Sequence, residues 1–421
     1  MAFRHIEIAT DAALNRVCEN RFMTSKATFP AARERSDFAE LSSGIVTGLG
    51  FTFVLIAVLV VPLTNNLLGT RDFVEYWAAG QLLVHHANPY DPGATLAIER
   101  TVNGPDAALI LMLNPPWTLP LVCPLGFLGL RTAALLWNLL LLISVLVSLQ
   151  IARRLHGSPP NRLHWLGLAF TPVILALAMG QLSVLVMLGY MLFLRFHRDR
   201  PLVSGAALWL CTLKPHLFLP VAVVMVAWVL VSRTYKVLMS AAIALSASVI
   251  AAFVIDPHAW REYMQIMRAP ALEGQFIPCL ADAFRHWLDP HAGWLRFLPA
   301  AVCCLWALSY YWRRRSVWAW TEHGNLLILV SLVVAPYGWF YDQCCALPAI
   351  LHGSYTVRSR SYLTALALMI LLADIQLYGI KSVSPLGSPL WLWTGPAWFA
   401  WYLAARVPRS FKVAGSAQMP A

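Results

Sequence analysis

Apolar residues occupy most of the chain in long runs that short polar turns separate. Runs long enough to span a bilayer recur from about Gly44 to Arg406, and no stretch between them is large enough for a separate soluble domain. We therefore predict one all-α polytopic membrane domain over residues 44–406. A basic cytoplasmic segment, 1–43, precedes it, and a cytoplasmic tail, 407–421, follows it.

The polar turns are rich in arginine, which indicates the cytoplasmic side of a membrane protein. The apolar stretches between consecutive turns run about thirty residues, which is the length of two short helices. Each stretch is therefore predicted to be a hairpin that reaches outward and breaks at its tip. The predicted breaks are Gly180-Gln181, Lys214-Pro215-His216 and Pro336 to Gln343.

One apolar run, 107–128, is interrupted by prolines and does not fit a regular span. We predict that it forms a half-helix or re-entrant segment, because irregular backbone at membrane depth must be buried in protein or line a cavity. The predicted fold then has about twelve spans, with both termini cytoplasmic. Outer loops are expected at about 66–114 and 256–292, and the mixed charges of the second predict a solvated cap.

Composition supports a membrane protein. Hydrophobic residues make up 59% of the chain and charged residues 12%, with a mean hydropathy of +0.63. The net charge of +11 lies in the short turns, so it indicates membrane orientation and no nucleic-acid partner. The sequence contains no Walker loop, Rossmann glycine pattern or zinc-ligand spacing, so we predict no cofactor and no bound metal. The eight cysteines are expected to be small buried hydrophobes.

Asp72 stands in the segment Thr70-Arg71-Asp72-Phe73-Val74-Glu75-Tyr76-Trp77, directly after a long apolar run. An ionisable residue just beyond a membrane span is a functional candidate. Further along, the chain reads Asn88-Pro89-Tyr90-Asp91 and Asn114-Pro115-Pro116-Trp117. This order resembles the bacterial membrane glycosyltransferases of family 87, whose pattern is roughly D-x-x-x-Y-x-x-A, then G-x-x-P-Y-D, then Y-P-P-L.

The resemblance implies a GT-C-like fold, a function and a location. Members of this family use polyprenyl-phosphate sugars, so the implied partners are such a lipid donor, a glycan or glycolipid acceptor and the lipid bilayer. The sugar would be a hexose or pentose, mannose among them. The membrane would be the bacterial inner membrane, and the outward hairpin tips then predict an active site on its periplasmic side. Among the matching positions, the resemblance assigns substrate contacts to Tyr90, Asp91 and Asn114.

Sugar transfer from a lipid phosphate requires a carboxylate that takes the acceptor proton, cationic groups that hold the phosphate, and polar groups that orient the sugar. Asp72 is the candidate base, with Tyr76 one turn later on the same face if a helix follows. The structural alternative for Asp72 is a helix cap.

Lys214 and His216 form the candidate phosphate site. A lysine within an apolar stretch is costly to bury unless it meets an anion, and Pro215 breaks the helix beside it. The resemblance agrees, because the family often has Lys-Pro at this place. The alternative is an interfacial lysine or one at a helix C-terminus, and for His216 a histidine that is only hydrogen-bonded.

The other two breaks supply candidate sugar contacts. Gly180-Gln181 resembles the family element G-Q-x-N, with Ser183 at the Asn position; Gln181 would bind sugar hydroxyls or satisfy free backbone groups. Tyr341-Asp342 lies near the position of a histidine in mannosyl-transferring members. Tyr341 is a predicted sugar contact. Asp342 is either a second catalytic carboxylate or the partner of Lys214 in a buried ion pair.

Two other functional classes remain open from sequence. A transporter or lipid flippase also has broken helices and a buried lysine, although such proteins usually show two similar halves, which this chain lacks. A non-catalytic assembly partner in envelope polysaccharide synthesis is the third. The glycosyltransferase is the preferred hypothesis.

Overall fold

Backbone groups surrounded by apolar side chains must form their hydrogen bonds within the same segment, which favours helices. The computed structural model describes residues 72–268, 276–357, 359–379 and 385–406, and within these ranges it contains helices and no strand. The α-helices are α1 Phe73–Val84, α2 Pro92–Asn103, α3 Leu119–Val122, α4 Leu130–Leu155, α5 Thr171–Met179, α6 Ser183–Phe196, α7 Pro201–Cys211, α8 Leu219–Ser232, α9 Tyr235–Ile255, α10 Ala259–Ile266, α11 Leu280–Leu288, α12 Leu298–Arg314, α13 Asn325–Val333, α14 Leu347–Thr356, α15 Arg360–Asp374 and α16 Thr394–Arg406.

Five helical segments in the described part of the chain are long and apolar enough to cross a membrane. Their outward side chains are apolar too: in α9, for example, Ile250 is 63% and Val254 79% exposed. Such surfaces suit lipid and not water, so the chain is a polytopic membrane protein. The five segments are Leu130–Leu155, Pro215–Ser232, Tyr235–Ile255, Gly293–Val317 and Arg360–Gly379.

Shorter apolar helices meet at the three predicted breaks. Helix α5 ends at Gly180, whose φ of +74° is in the left-handed region that favours glycine, and α6 begins at Ser183. Between α7 and α8, Pro215 begins a short 3-10 turn. Between α13 and α14, residues Phe340–Ala346 form another 3-10 turn. The positions of all three breaks are confirmed.

The proline-rich run is irregular, as predicted. It consists of two 3-10 turns, Pro116–Thr118 and Cys123–Phe127, on either side of the single turn α3. It packs closely on α1, because a Cβ on Gly126 would lie only 2.1 Å from the Gly80 carbonyl oxygen. Small residues permit this kind of backbone approach between membrane segments.

Hydrogen bonds add to this contact between α1 and the proline-rich segment. The Gln81 side chain donates to the Gly126 carbonyl at 2.8 Å, and the Trp77 indole donates to the Leu128 carbonyl at 3.0 Å. Each such bond contributes roughly 1 kcal/mol. Together they fix the orientation of α1, which begins directly after Asp72.

The predicted solvated cap at 256–292 is wrong in one respect. Asp282 and Arg285 on the amphipathic helix α11 are fully buried and form an ion pair of 2.8 Å, which Arg296 joins at 3.2 Å. The Ile277 backbone N–H also donates to Asp282. Burial is tolerated because the carboxylate is fully paired, and sequence spacing alone does not reveal such pairing.

Several predictions concern residues outside the described ranges. They are the cytoplasmic segment 1–43, the first span up to Asn65, Arg358 in a cytoplasmic turn, and the tail 407–421. The predicted span count includes these regions and therefore stays a prediction.

Candidate active site

Asp72 lies at the start of α1 with only 9% of its surface exposed. Although it occupies the N-cap position, its side chain makes no capping hydrogen bond. Its carboxylate instead accepts a hydrogen bond from the Gln181 side-chain amide. Burial raises the pKa of Asp72 to about 6, although the Lys214 ammonium acts in the opposite direction. Asp72 is therefore a buried carboxylate whose side chain does not cap α1.

Gln181 connects the other polar groups to Asp72. Its amide nitrogen donates to Asp72, so its oxygen points the other way and accepts from the Lys214 ammonium at 2.8 Å. The Tyr76 hydroxyl approaches the same oxygen at 3.4 Å. Asp72 and Tyr76 thus face one side of α1, as their spacing predicts. Gln181 is 1% exposed and its side chain bonds other side chains, not the free backbone groups of the alternative.

Lys214 and Asp342 form a buried ion pair. Their Nζ and Oδ1 atoms are 2.7 Å apart, and the side chains are 10% and 3% exposed. Asp342 also accepts hydrogen bonds from the Ser183 hydroxyl and, at 2.9 Å, from the Trp339 backbone N–H. The ion-pair alternative for Asp342 is therefore what the structure contains. The Lys214 ammonium lies 5.2 Å from the centre of the Tyr341 ring, a cation–π distance.

Hydrogen bonds from side chains to backbone carbonyls hold the first break, at Gly180, and the second break, before Lys214. The Asn114 side-chain amide donates to the Leu213 carbonyl at 3.0 Å, and the Trp117 indole donates to the Thr212 carbonyl at 3.0 Å. On the other side, the Trp137 indole donates to the Gly180 carbonyl at 2.7 Å. The proline-rich segment and α4 therefore position the residues on either side of the cluster.

The predicted site residues divide into three groups. Asp72, Tyr76, Gln181, Lys214, Tyr341 and Asp342 meet in one buried group, which we name the polar cluster. Asn114 and Tyr90 support it indirectly, since the Tyr90 hydroxyl donates to the Asn114 carbonyl at 3.0 Å.

Asp91 and His216 have other contacts. The Asp91 carboxylate accepts from the Ala94 backbone N–H at 2.7 Å and caps α2. The His216 ring stacks on Tyr337, with 3.7 Å between ring centres. Within the described residues, no hydrogen bond joins either side chain to the polar cluster.

Sequence reasoning missed Glu75 as a site residue. Glu75 is 7% exposed, and its pKa is raised well above the ordinary value by burial and then by the Asp72 charge. A signal was available, because residues three apart in a helix share a face. Glu75 thus adds a third carboxyl group to those of Asp72 and Asp342, and it is favoured in its neutral form.

The arrangement combines a carboxylate of raised pKa, an ammonium and several hydroxyl and amide groups. This set is able to accept a proton and bind an anion. In the described part of the chain, no group of three or more His, Cys, Asp or Glu side chains is placed to hold a metal ion.

Comparison with known protein families gives a match. The family model described as glycosyltransferase family 87 matches residues 113–336, a range that includes Asn114, Gln181 and Lys214. Asp72 precedes the matched range and Asp342 follows it. No curated protein and no solved structure matches the chain.

Proposed function

Because the chain belongs to glycosyltransferase family 87, we propose that it transfers a sugar from a polyprenyl-phosphate donor to a hydroxyl group of a glycan or glycolipid at the periplasmic face. Family membership favours the enzyme over a transporter or flippase. The observation that carries the proposal is the link from Asp72 through Gln181 to Lys214, in which a carboxylate and an ammonium bond to one buried amide.

The proposed reaction is a single displacement. The acceptor oxygen forms a bond to C1 of the sugar while the bond from C1 to the phosphate oxygen breaks, and the phosphate keeps the electron pair. Asp72 takes the proton of the acceptor hydroxyl. Burial supports this role, because the raised pKa of Asp72, about 6, brings the carboxylate closer to the basicity that general-base catalysis needs at neutral pH.

Lys214 neutralises the departing phosphate in this proposal. An ammonium group has three N–H donors, and the structure uses one on Asp342 and one on Gln181. A third donor remains for a phosphate oxygen, so donor binding does not require the ion pair to break. Tyr76, Gln181 and Tyr341 lie around the same position and are the proposed sugar contacts.

The periplasmic placement rests on charge and on distance along helices. Arg153 and Arg154 end α4, whereas Trp137 on the same helix contacts Gly180 beside the polar cluster. Sixteen residues of α-helix separate Trp137 from Arg153, which is about 24 Å. If the arginines are cytoplasmic, as the charge rule predicts, the polar cluster lies toward the opposite face.

Asp72→Asn in reconstituted full-length protein tests the function. This change keeps the shape and the hydrogen bond to Gln181 but removes the basicity, so release of polyprenyl phosphate should fall by about a hundredfold or more. The matched control is Asp91→Asn, which keeps a helix cap outside the cluster because Asn caps about as well as Asp, and which should leave turnover within a few-fold of wild type. A folded Asp72→Asn protein with near wild-type turnover would contradict the proposal. Absence of transfer by the wild type with polyprenyl-phosphate sugars would instead favour the non-catalytic alternative.

A further inference from the structure

A cavity with polar lining residues lies far from the polar cluster. It has a volume of about 150 Å³ and is formed where the end of α4 meets α6, the π-turn Trp320–Gly324, the start of α13 and helix α14. Helix α6 connects the two regions: Ser183 donates to Asp342 of the polar cluster, and Leu194, eleven residues later, lines the cavity. This separation corresponds to about 16 Å, so the cavity is not part of the proposed catalytic site.

Two histidines in the lining have fixed donor and acceptor roles. His156 Nδ1 lies 2.7 Å from the Ala152 carbonyl oxygen, which only accepts, so this nitrogen carries a hydrogen. Burial lowers the pKa of His156, which favours the neutral ring, and its Nε2 therefore accepts. His352 Nδ1, 3.0 Å away, must be the donor to it. In the neutral tautomer, His352 Nε2 is then left with a lone pair.

The free end of this histidine pair is buried. His352 is 4% exposed, and its Nε2 has no hydrogen-bond partner. The nearest acidic oxygen is Glu322 Oε2 at 3.6 Å, which is too far for a hydrogen bond. A donor in the cavity to one side of this pair of atoms would bond to both of them.

Asn325 presents a second unpartnered acceptor. Its amide nitrogen donates to the Thr321 carbonyl at 2.6 Å, which leaves the Oδ1 atom as the free end of the amide. Oδ1 is buried without a partner, and the whole residue is 3% exposed. Buried polar atoms are nearly always paired, so a missing donor is indicated here as well.

Glu322 supplies a third acceptor at the mouth of the cavity. Its side chain is 48% exposed, and its Oε2 is 2.8 Å from Arg406, which leaves Oε1 for another donor. The Thr356 hydroxyl donates to the His352 carbonyl and keeps its lone pairs. The inward-facing free groups described here are therefore all acceptors.

We propose that this cavity binds a primary ammonium group. Such a group has three N–H donors and no acceptor, which matches His352 Nε2, Asn325 Oδ1 and the Glu322 carboxylate. An anion would meet only acceptors, and a quaternary ammonium has no N–H to donate. The group comes either from a free small amine or from the ethanolamine head of a membrane phospholipid.

Thermal unfolding of the purified full-length protein tests the chemistry, with ethanolamine as the probe and choline as the control of equal charge. A ligand that binds only the folded state raises the unfolding midpoint. Ethanolamine should raise the midpoint by several degrees at saturation, and choline should not. Asn325→Leu, which removes the acceptor at similar volume, should abolish the shift. Equal shifts with both amines, or an unchanged shift in Asn325→Leu, would overturn the proposal.

A second variant, at the mouth of the cavity, keeps the proposal testable if Asn325→Leu fails to fold. Glu322→Gln lies at the half-exposed mouth and should weaken ethanolamine binding by about tenfold, because charge-assisted hydrogen bonds become neutral ones. The matched control is Asp199→Asn, which removes a carboxylate from the exposed pair with Arg195 and should leave the affinity unchanged. Equal affinities in these two variants would also overturn the proposal.

Native mass spectrometry of protein from mixed vesicles of phosphatidylethanolamine and phosphatidylglycerol distinguishes the two sources. Selective retention of phosphatidylethanolamine that Glu322→Gln loses identifies the lipid head. Binding of ethanolamine without lipid selectivity identifies a free amine. Absence of both would overturn the proposal. These readouts do not measure sugar transfer, so their failure is separate from failure of the proposed function.

Discussion

Lys214 and Asp342, 128 positions apart in the chain, meet at 2.7 Å and join the second and third helix breaks. A buried ion pair is stable only when its remaining hydrogen-bonding positions are filled. Ser183 and Trp339 fill two such positions on Asp342, and Gln181 fills one on Lys214. The pair therefore holds the site together in addition to any contact with substrate.

The ion pair predicts strong energetic coupling between its two residues. Asp342→Leu or Lys214→Met alone leaves one buried charge unpaired and should lower the free energy of unfolding by about 3–5 kcal/mol. The double variant should lose clearly less than the sum of the two. Denaturant unfolding of all four proteins in detergent measures this coupling, and strictly additive losses would show that the pair contributes nothing.

Donor binding should depend on the charge at position 214. Lys214→Ala should weaken binding of a polyprenyl-phosphate sugar strongly, whereas Lys214→Arg should retain part of it, because charge persists while geometry changes. Equilibrium binding of the donor to folded protein separates this effect from stability. Unchanged donor affinity in Lys214→Ala would remove Lys214 from the phosphate site.

Transfer should depend on pH through Asp72. Since burial raises the pKa of this carboxylate to about 6 and a base must be deprotonated, kcat/KM should rise with pH up to about 6 and level off above it. Below that value the rate should fall about tenfold per pH unit. The residual activity of Asp72→Asn should lack this limb. A wild-type profile that is flat from pH 5 to pH 8 would contradict the assignment.

Gly180 should not tolerate a side chain. Its φ of +74° is strained for alanine, and a Cβ would lie 2.7 Å from the Phe73 Cβ atom, directly after Asp72. Gly180→Ala should cost about 1–2 kcal/mol of stability from the backbone alone and reduce turnover by moving α1. Gly129→Ala is the control, because its φ is −61° and no atom lies within 4 Å of the added Cβ. Turnover of Gly180→Ala equal to that control would refute the close packing.

Orientation in the membrane is testable with reporter fusions. Fusions at Arg154, Arg314 and Arg406 should report the cytoplasm, and fusions near Asp91 and Lys381 should report the periplasm, because arginine-rich turns stay inside. Lys381 itself lies outside the described residues. An outward-facing Arg314 would refute both the hairpin arrangement and the periplasmic site.

Local signals were sufficient to predict the helix breaks and much of the candidate site. Pro215 and Gly180 interrupt their helices through backbone geometry that is specific to proline and glycine, so the residue type alone predicts these breaks. The ion pair was also foreseen as one of two roles for Asp342, since a buried lysine requires an anion. The capping role of Asp91 had a signal too, because an Asp followed by Pro is typical of a helix start.

Other features depend on packing that no local pattern reveals. The bond from the Asn114 side chain to the Leu213 carbonyl crosses 99 positions, and the contact of Gly126 with Gly80 crosses 46. The role of Gln181 as a bridge likewise requires three helix ends to be placed together. Such contacts follow from the three-dimensional arrangement and not from residue type.

The contact between Gly80 and Gly126 has a consequence for movement during turnover. With two backbones touching and the Trp77 and Gln81 hydrogen bonds on either side, α1 and the proline-rich segment are expected to move as one rigid body. Asn114 and Trp117 extend this body to the turn before Lys214. The Gln181 side chain bonds to both Asp72 and Lys214, and Gly180 beside it packs on Phe73 at the start of α1. Substrate is therefore expected to enter without a change in the separation of Asp72 and Lys214.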